Sequence, residues 1–149
     1  MEGAELGGEI GRTATDFSPQ SHRGHRGWIH LRRRSSRRPL KCNRALGPGL
    51  LESTYQACLY HELTERGFHV VRQKKLPVVY KGVVIDCGYR IDMVVDNRVL
   101  LELKAVERID PIHEAQTLTY LKLSRLKVGL LMNFNSVLLK DGIRRLVNG

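Results

Sequence analysis

The chain has 149 residues and a mass of 17.0 kDa, room for one domain and a tail but not for two ordinary domains. Hydrophobic residues make up 42% and charged residues 27%, a globular balance. No apolar run reaches the roughly 18 residues that a membrane-spanning helix needs, so a transmembrane protein is excluded. The net charge of +10 favours a polyanionic partner such as nucleic acid or anionic lipid. That charge is uneven: residues 1–45 hold ten Lys/Arg against four Asp/Glu, and residues 46–149 hold fifteen against eleven. The first residues are acidic and lack the apolar core of a secretory signal. Cys42, Cys58 and Cys87 are widely spaced with no C-x-x-C pair, which supports neither a disulfide framework nor a zinc ribbon. A reducing cytoplasm is the expected compartment.

Residues 1–44 read as a disordered basic tail. Arg32–Arg38 has no apolar periodicity and cannot bury enough surface to offset its ordering entropy. It is either a basic arm for phosphates or simply a solvated tail. The domain is expected over residues 45–149. Leu46-Gly47-Pro48-Gly49 is a turn. A helix follows from Leu51 to Arg66, with Leu51, Tyr55, Leu59 and Leu63 as its buried stripe and Gly67 as its C-terminal cap. Short strands are predicted over 68–71, 76–80, 83–85, 89–95 and 99–106, with a turn at Lys81-Gly82. Asp110-Pro111 opens a second helix to about Leu123. Residues 128–134 and 137–139 read as a hairpin, and 142–147 as a short terminal helix. This order gives an α/β (α+β-like) domain.

The chemistry concentrates between Tyr89 and Glu107. Side chains alternate faces along a strand, so Val99, Leu101, Leu103 and Ala105 share one face with Ile91, Met93 and Val95. That face is apolar and fit to pack on a helix. The opposite face gathers Arg90, Asp92, Glu102 and Lys104 among Val94, Leu100 and Val106. Carboxylates set among apolar neighbours lose hydration and need cations. One solution is Mg²⁺ or Mn²⁺ held by Asp92 and Glu102, since hard oxygen ligands suit these ions and leave room for a substrate phosphate. Lys104 would then orient or activate the attacking water, and it would stabilise charge developing on a phosphodiester. The alternative is a half-exposed sheet on which Lys104 forms an ordinary salt bridge. An acid-x-Lys pattern is weak alone, because about one is expected by chance in a chain this rich in acids and lysines.

The wider pattern resembles a known family. Asp92, nine intervening residues and Glu102-Leu103-Lys104 are similar to the core of PD-(D/E)XK nucleases. Gly49-x-x-Glu52-x-x-Tyr55 matches the signature of the GxxExxY proteins, a mostly bacterial branch assigned to that superfamily. Tyr89–Asp92, Leu101–Glu107, Gln116–Leu121, Asn133-Phe134 and Leu138–Ile143 are similar as well. The resemblance implies a mixed sheet flanked by helices and a Mg²⁺- or Mn²⁺-dependent nuclease acting on DNA. It implies Asp92, Glu102 and Lys104 as catalytic residues, with metal bound by Asp92, Glu102 and the Leu103 carbonyl. Glu52 would approach the same metal, or else lie on the solvent face of its helix. Gln116 and Tyr120 resemble the Q-x-x-x-Y motif of RecB-type nucleases, and would hold phosphate or brace the site. Alternatively they form a helix–sheet seam with Gln116 at its rim. His113 lies on that same face and is left outside the core, and Arg90 is expected to pair with a carboxylate. The competing function is a catalytically inert module of the same fold that binds nucleic acid or a protein partner, with self-association left open and no membrane partner.

In one respect the chain departs from the family pattern. A helix normally leads into the Leu-Gly-Pro-Gly turn, and here only Asn43-Arg44-Ala45 faintly continues it. The expectation is a non-homologous start, from a misread frame or misplaced start codon, which would deprive the core of a packing partner. A sharper expectation concerns register. A clean two-residue turn at Asp96-Asn97 would pair Asp92 with Leu101 and put Asp92 and Glu102 on opposite faces. Shared metal binding requires a three-residue loop, Asp96-Asn97-Arg98, or a bulge, and that is the predicted geometry.

Overall fold

A computed structural model describes residues 40–149, so the expected tail lies outside the described residues up to residue 39. Helix α1 runs over Lys41–Leu46, across the boundary expected at 45. A helix therefore does lead into the Leu46–Gly49 turn. Six residues are too few to hold a helix by themselves, and α1 is held from outside. The Glu62 carboxylate accepts the Lys41 and Cys42 N–H groups at 2.8 and 3.2 Å, covering donors that no cap of its own satisfies. The buried Asn43 amide donates to the Phe134 and Ser136 carbonyls at 2.8 and 3.2 Å. The three cysteines are free; burial, aided by the Glu62 charge, pushes the Cys42 thiol up to about 12, which keeps it unreactive.

Helix α2, Glu52–Glu65, buries Tyr55, Leu59 and Leu63. Leu51, placed in the stripe by periodicity, is 76% exposed. It is the extended residue before the helix and so falls off the helical face. The helix ends as a Schellman motif: Gly67, at φ 80°, donates to Thr64, and Phe68 donates to Leu63 at 3.1 Å, while Phe68 and Leu63 join the same core.

Strands β1 (Val70–Lys75), β4 (Arg90–Val95), β5 (Val99–Lys104), β6 (Val128–Asn133) and β7 (Ile143–Val147) form one sheet in the order β1-β4-β5-β6-β7. Only β5 and β6 are parallel, and they are joined through helix α3, Pro111–Ser124, as a parallel connection requires. Strands β2 (Val78–Tyr80) and β3 (Val83–Ile85) make a separate hairpin. Helices α1 and α2 pack with Met93, Val95, Val99, Leu101, Leu103, Leu130 and Met132 on one face. On the other, Tyr120 and Leu121 of α3 cover Val94 and Leu100. The expected α/β architecture of a mixed sheet flanked by helices is what the chain adopts.

Two assignments are corrected. Residues 143–147 are a strand, antiparallel to β6, rather than a helix: so short a segment forms a helix only with outside support of the kind α1 has, and here the open edge of β6 supplies strand partners instead. Residues 137–139 are not a hairpin strand, because the chain turns through a 3₁₀ segment at Leu139–Gly142. Gly142 lies against the β6 exit so closely that a Cβ would sit 2.4 Å from the Asn133 carbonyl oxygen. Gly142→Ala is expected to lower unfolding stability by about 2 kcal/mol in urea denaturation. Gly129→Ala, which would meet only the movable Leu121 side chain at 3.2 Å, should cost less.

Candidate active site

The site begins with a register. Asp96 and Asn97 both have positive φ, 50° and 52°, as a type I′ turn requires, and Arg98 N–H closes it onto Val95 O at 3.0 Å. The ladder then pairs Val95 with Val99, Val94 with Leu100 and Met93 with Leu101. Arg98 is thus the extra residue, the odd loop the register argument demands, and Asp92 comes level with Glu102 rather than Leu101.

Past Met93/Leu101 the two strands part. The Leu103 N–H, which would otherwise face β4 unpaired, donates to Asp92 Oδ2 at 2.8 Å. A residue's N–H and C=O leave an extended strand on the same edge, so the Leu103 carbonyl also faces this fork. Beyond it β4 turns: Ile91, assigned by alternation to the Met93 face, packs instead with Leu76, Tyr120 and Leu121. The ladder with β1 is interrupted at the same level, between the Arg72–Met93 and Lys74–Ile91 pairs. There Gln73 takes φ 48°, an uncommon conformation for a non-glycine residue.

Asp92 Oδ1 accepts Gln56 Nε2 at 2.9 Å and Gln73 Nε2 at 3.4 Å, and Gln73 also donates to Gln56 Oε1 at 3.1 Å. Glu102 is 4% exposed. Its Oε1 pairs with Lys104 Nζ at 3.1 Å, and its Oε2 is buried with no partner. Such an orphan oxygen is costly and calls for an explanation, an unseen ion among them. Burial, then the Asp92 charge, push Glu102 up from 4.5 to about 7, against the opposing pull of Lys104. Burial also raises Asp92, offset in part by the Leu103 N–H and Lys104. Glu52, at the first turn of α2, is raised by burial and by Asp92, and lowered by Lys104 and His113. Four predicted residues, Asp92, Glu102, Lys104 and Glu52, therefore share one electrostatic environment.

The Gly49-x-x-Glu52-x-x-Tyr55 spacing has a physical basis. Gly49 turns at φ 100°. The Tyr55 hydroxyl donates to Gly47 O at 2.6 Å and accepts the Leu50 N–H at 3.1 Å, while its ring stacks on Phe134 at 4.9 Å. The turn is thereby locked with Glu52 delivered toward the fork. The Gln116 amide donates to the Tyr120 hydroxyl oxygen at 3.0 Å, and Tyr120 is buried against Val94 and Leu100, so this pair occupies the helix–sheet seam. His113 Nδ1 accepts the Asp110 N–H at 3.1 Å and braces the start of α3. Arg90 is exposed. Sequence reasoning missed Gln56 and Gln73. Gln56, four residues after Glu52 on the same helical face, was findable. Gln73 reaches Asp92 only through the β1–β4 register.

Among the described residues no three His, Cys, Asp or Glu side chains form a ready-made metal cage. Mg²⁺ seldom uses one; it takes one or two carboxylates and keeps several waters. Asp92, the orphan Glu102 oxygen and the Leu103 carbonyl fit that habit. The family model of the PD-(D/E)XK nuclease superfamily matches residues 35–146. No curated protein and no solved structure gives a significant match.

The raised Glu102 predicts a pH effect with a definite sign. Between its unfolded value of 4.5 and its folded value of about 7, the native chain holds a proton that the unfolded chain lacks. This contribution is fully present below the lower value and lost as pH rises through the upper one. In metal-free urea titrations, Glu102→Gln should gain on the unsubstituted chain from pH 5 to pH 8, by on the order of 3 kcal/mol at most. A difference that stays constant with pH would contradict the buried, proton-holding carboxylate.

Proposed function

The chain belongs to the PD-(D/E)XK nuclease superfamily, and from that premise we propose that it is a Mg²⁺-dependent nuclease of the GxxExxY branch, hydrolysing phosphodiester bonds of DNA. The observation that carries the proposal is the fork. A buried Glu102 Oε2 without a partner, a second carboxylate level with it and a lysine 3.1 Å from Glu102 Oε1 sit where two strands separate. A protein that only bound phosphates would gain nothing by collecting carboxylates there.

In this reading Asp92, Glu102 and the Leu103 carbonyl hold the metal, with Glu52 reaching toward it from α2. A divalent ion bound there supplies a Lewis acid for the scissile phosphate and offsets the carboxylate charge. Lys104 orients the attacking water and stabilises charge gathering on the phosphate oxygens. Gln56 and Gln73 are positioning residues, holding the Asp92 carboxylate in one rotamer through Oδ1 while Leu103 N–H holds Oδ2. His113 and the Gln116–Tyr120 pair brace α3 over the site. No helix among the described residues is long and apolar enough to cross a membrane.

One observation favours a second reading, an inert module of the same fold that binds nucleic acid or a protein. Lys104 already neutralises Glu102, and both Asp92 oxygens already accept hydrogen bonds. Metal-titrated cleavage of single- and double-stranded DNA separates the two. The nuclease reading expects cleavage with Mg²⁺ or Mn²⁺, none in chelator, and losses of about 10²-fold or more in Asp92→Asn, Glu102→Gln and Lys104→Ala. Gln56→Leu, which leaves one donor fewer on Asp92, should cost less, about tenfold. DNA binding that persists without metal, with no cleavage under any condition, would leave the inert module standing.

A further inference from the structure

The β2–β3 hairpin is the least explained part of the molecule. It forms a sheet of its own, turns at Lys81 and Gly82 with φ 49° and 79°, and leaves every residue from Val79 to Arg90 exposed. Val79 is 63% and Val84 67% exposed, with Tyr80 and Val83 close behind. An isolated two-stranded ribbon is marginal in water, and a contiguous exposed apolar patch marks an interaction surface.

The charge of this region identifies the partner. Residues 72–90 hold five Lys/Arg and one acid, Asp86, whereas the rest of 46–149 holds ten of each. The whole positive excess of the domain therefore lies on the hairpin and on the strand ends of β1 and β4 that carry it. Its base stands at the carboxylate fork: Leu76 N–H bonds Tyr89 O at 2.9 Å, Lys75 pairs opposite Arg90, and Asp92 is two residues further along the same strand. Arg72 lies over the Tyr60 ring, away from the ribbon, whereas Lys81 lies over the ribbon's own Tyr80 ring at 5.4 Å; with Arg90 at the base, Lys74, Lys75 and Lys81 are the exposed cations beside the apolar ribbon. A second copy of the chain would bring the same positive charge and be repelled.

We infer that this hairpin is a DNA-gripping arm: the ribbon enters the groove of duplex DNA beside the scissile bond, with Lys74, Lys75 and Lys81 on the flanking phosphates. The inference rests on the nuclease reading for its choice of substrate. A two-stranded ribbon fits a major groove about 12 Å wide, where valine methyls meet thymine methyls, while lysine–phosphate contacts fix register and carry the affinity. Base stacking on single strands would call for more aromatic rings than Tyr80 and Tyr89 provide.

The test uses the full chain with a short fluorescent duplex carrying 5-iododeoxyuridine, in chelator so that binding is read without cleavage. Circular dichroism checks that each variant folds. Lys74→Glu/Lys75→Glu/Lys81→Glu should weaken binding about tenfold or more and lower the log–log salt slope by about 2 to 3. Val79→Ser/Val84→Ser should weaken binding several-fold with the salt slope unchanged, and photo-crosslinks should fall within residues 72–90. With Mn²⁺, both variants should hydrolyse bis(p-nitrophenyl) phosphate at the unsubstituted rate. Unchanged affinity, crosslinks elsewhere, equally tight binding to single strands or anionic vesicles, or a dimer dissolved by the serine substitutions would overturn the inference. Failure of the nuclease reading shows separately: the unsubstituted chain would hydrolyse neither DNA nor the small diester, while arm-dependent duplex binding remained.

Discussion

The hydrogen bond from Leu103 N–H to Asp92 Oδ2, 2.8 Å long, stands where strand pairing between β4 and β5 stops. A parted pair of strands leaves backbone donors and acceptors that must find partners away from water, and here a carboxylate substitutes for the missing strand. That single replacement fixes the Asp92 side chain and turns the free edge of Leu103 into the fork. It also lets Glu102 and Lys104 emerge from β5 beside Asp92 instead of across the sheet. The extra residue Arg98 in the β4–β5 turn makes it possible, since one residue fewer would slip the register and reverse the faces.

The fork is costly for the isolated chain. Three carboxylates, Glu52, Asp92 and Glu102, have raised affinities for protons, with loss of hydration the leading cause for each. Lys104 is the cation they share, and it does not offset burial fully. Arrangements of this kind, stability surrendered at one place while the surrounding sheet is well packed, are expected where a site is built for a charged guest. The support comes from both faces. Tyr55 locks the turn ahead of α2, Gln56 and Gln73 hold Asp92, and Asn133 bonds both the N–H and C=O of Val106 at 3.1 and 2.8 Å, fixing the exit of β5.

Much of this was legible from sequence for identifiable reasons. Strand alternation over residues 89–106 separated the charged face from the apolar one, and the requirement that Asp92 meet Glu102 dictated the odd turn. What failed did so where local pattern gave way to tertiary partners. Residues 143–147 looked helical until the edge of β6 was available to pair with them, and Leu51 kept helical spacing yet fell outside the helix. Ile91 obeyed alternation until the strand turned at Asp92. Helix α1 was invisible because its stability resides in Glu62 and Asn43, not in its own periodicity. Gln73 could not be found by any local rule, because its left-handed backbone and its contact with Asp92 depend on strands paired across nearly twenty positions. The basic residues around the hairpin were present in the composition, but only the fold set them beside the carboxylates.

On the proposed reading the fork gathers two carboxylates and a carbonyl for one divalent ion. Calorimetric titration of the full chain with Mn²⁺ tests it directly. One ion per chain is expected, with binding abolished or strongly weakened by Asp92→Asn and by Glu102→Gln and little changed by Lys81→Glu on the hairpin. Stoichiometric binding indifferent to both carboxylate substitutions, or no binding by a folded chain, would contradict it.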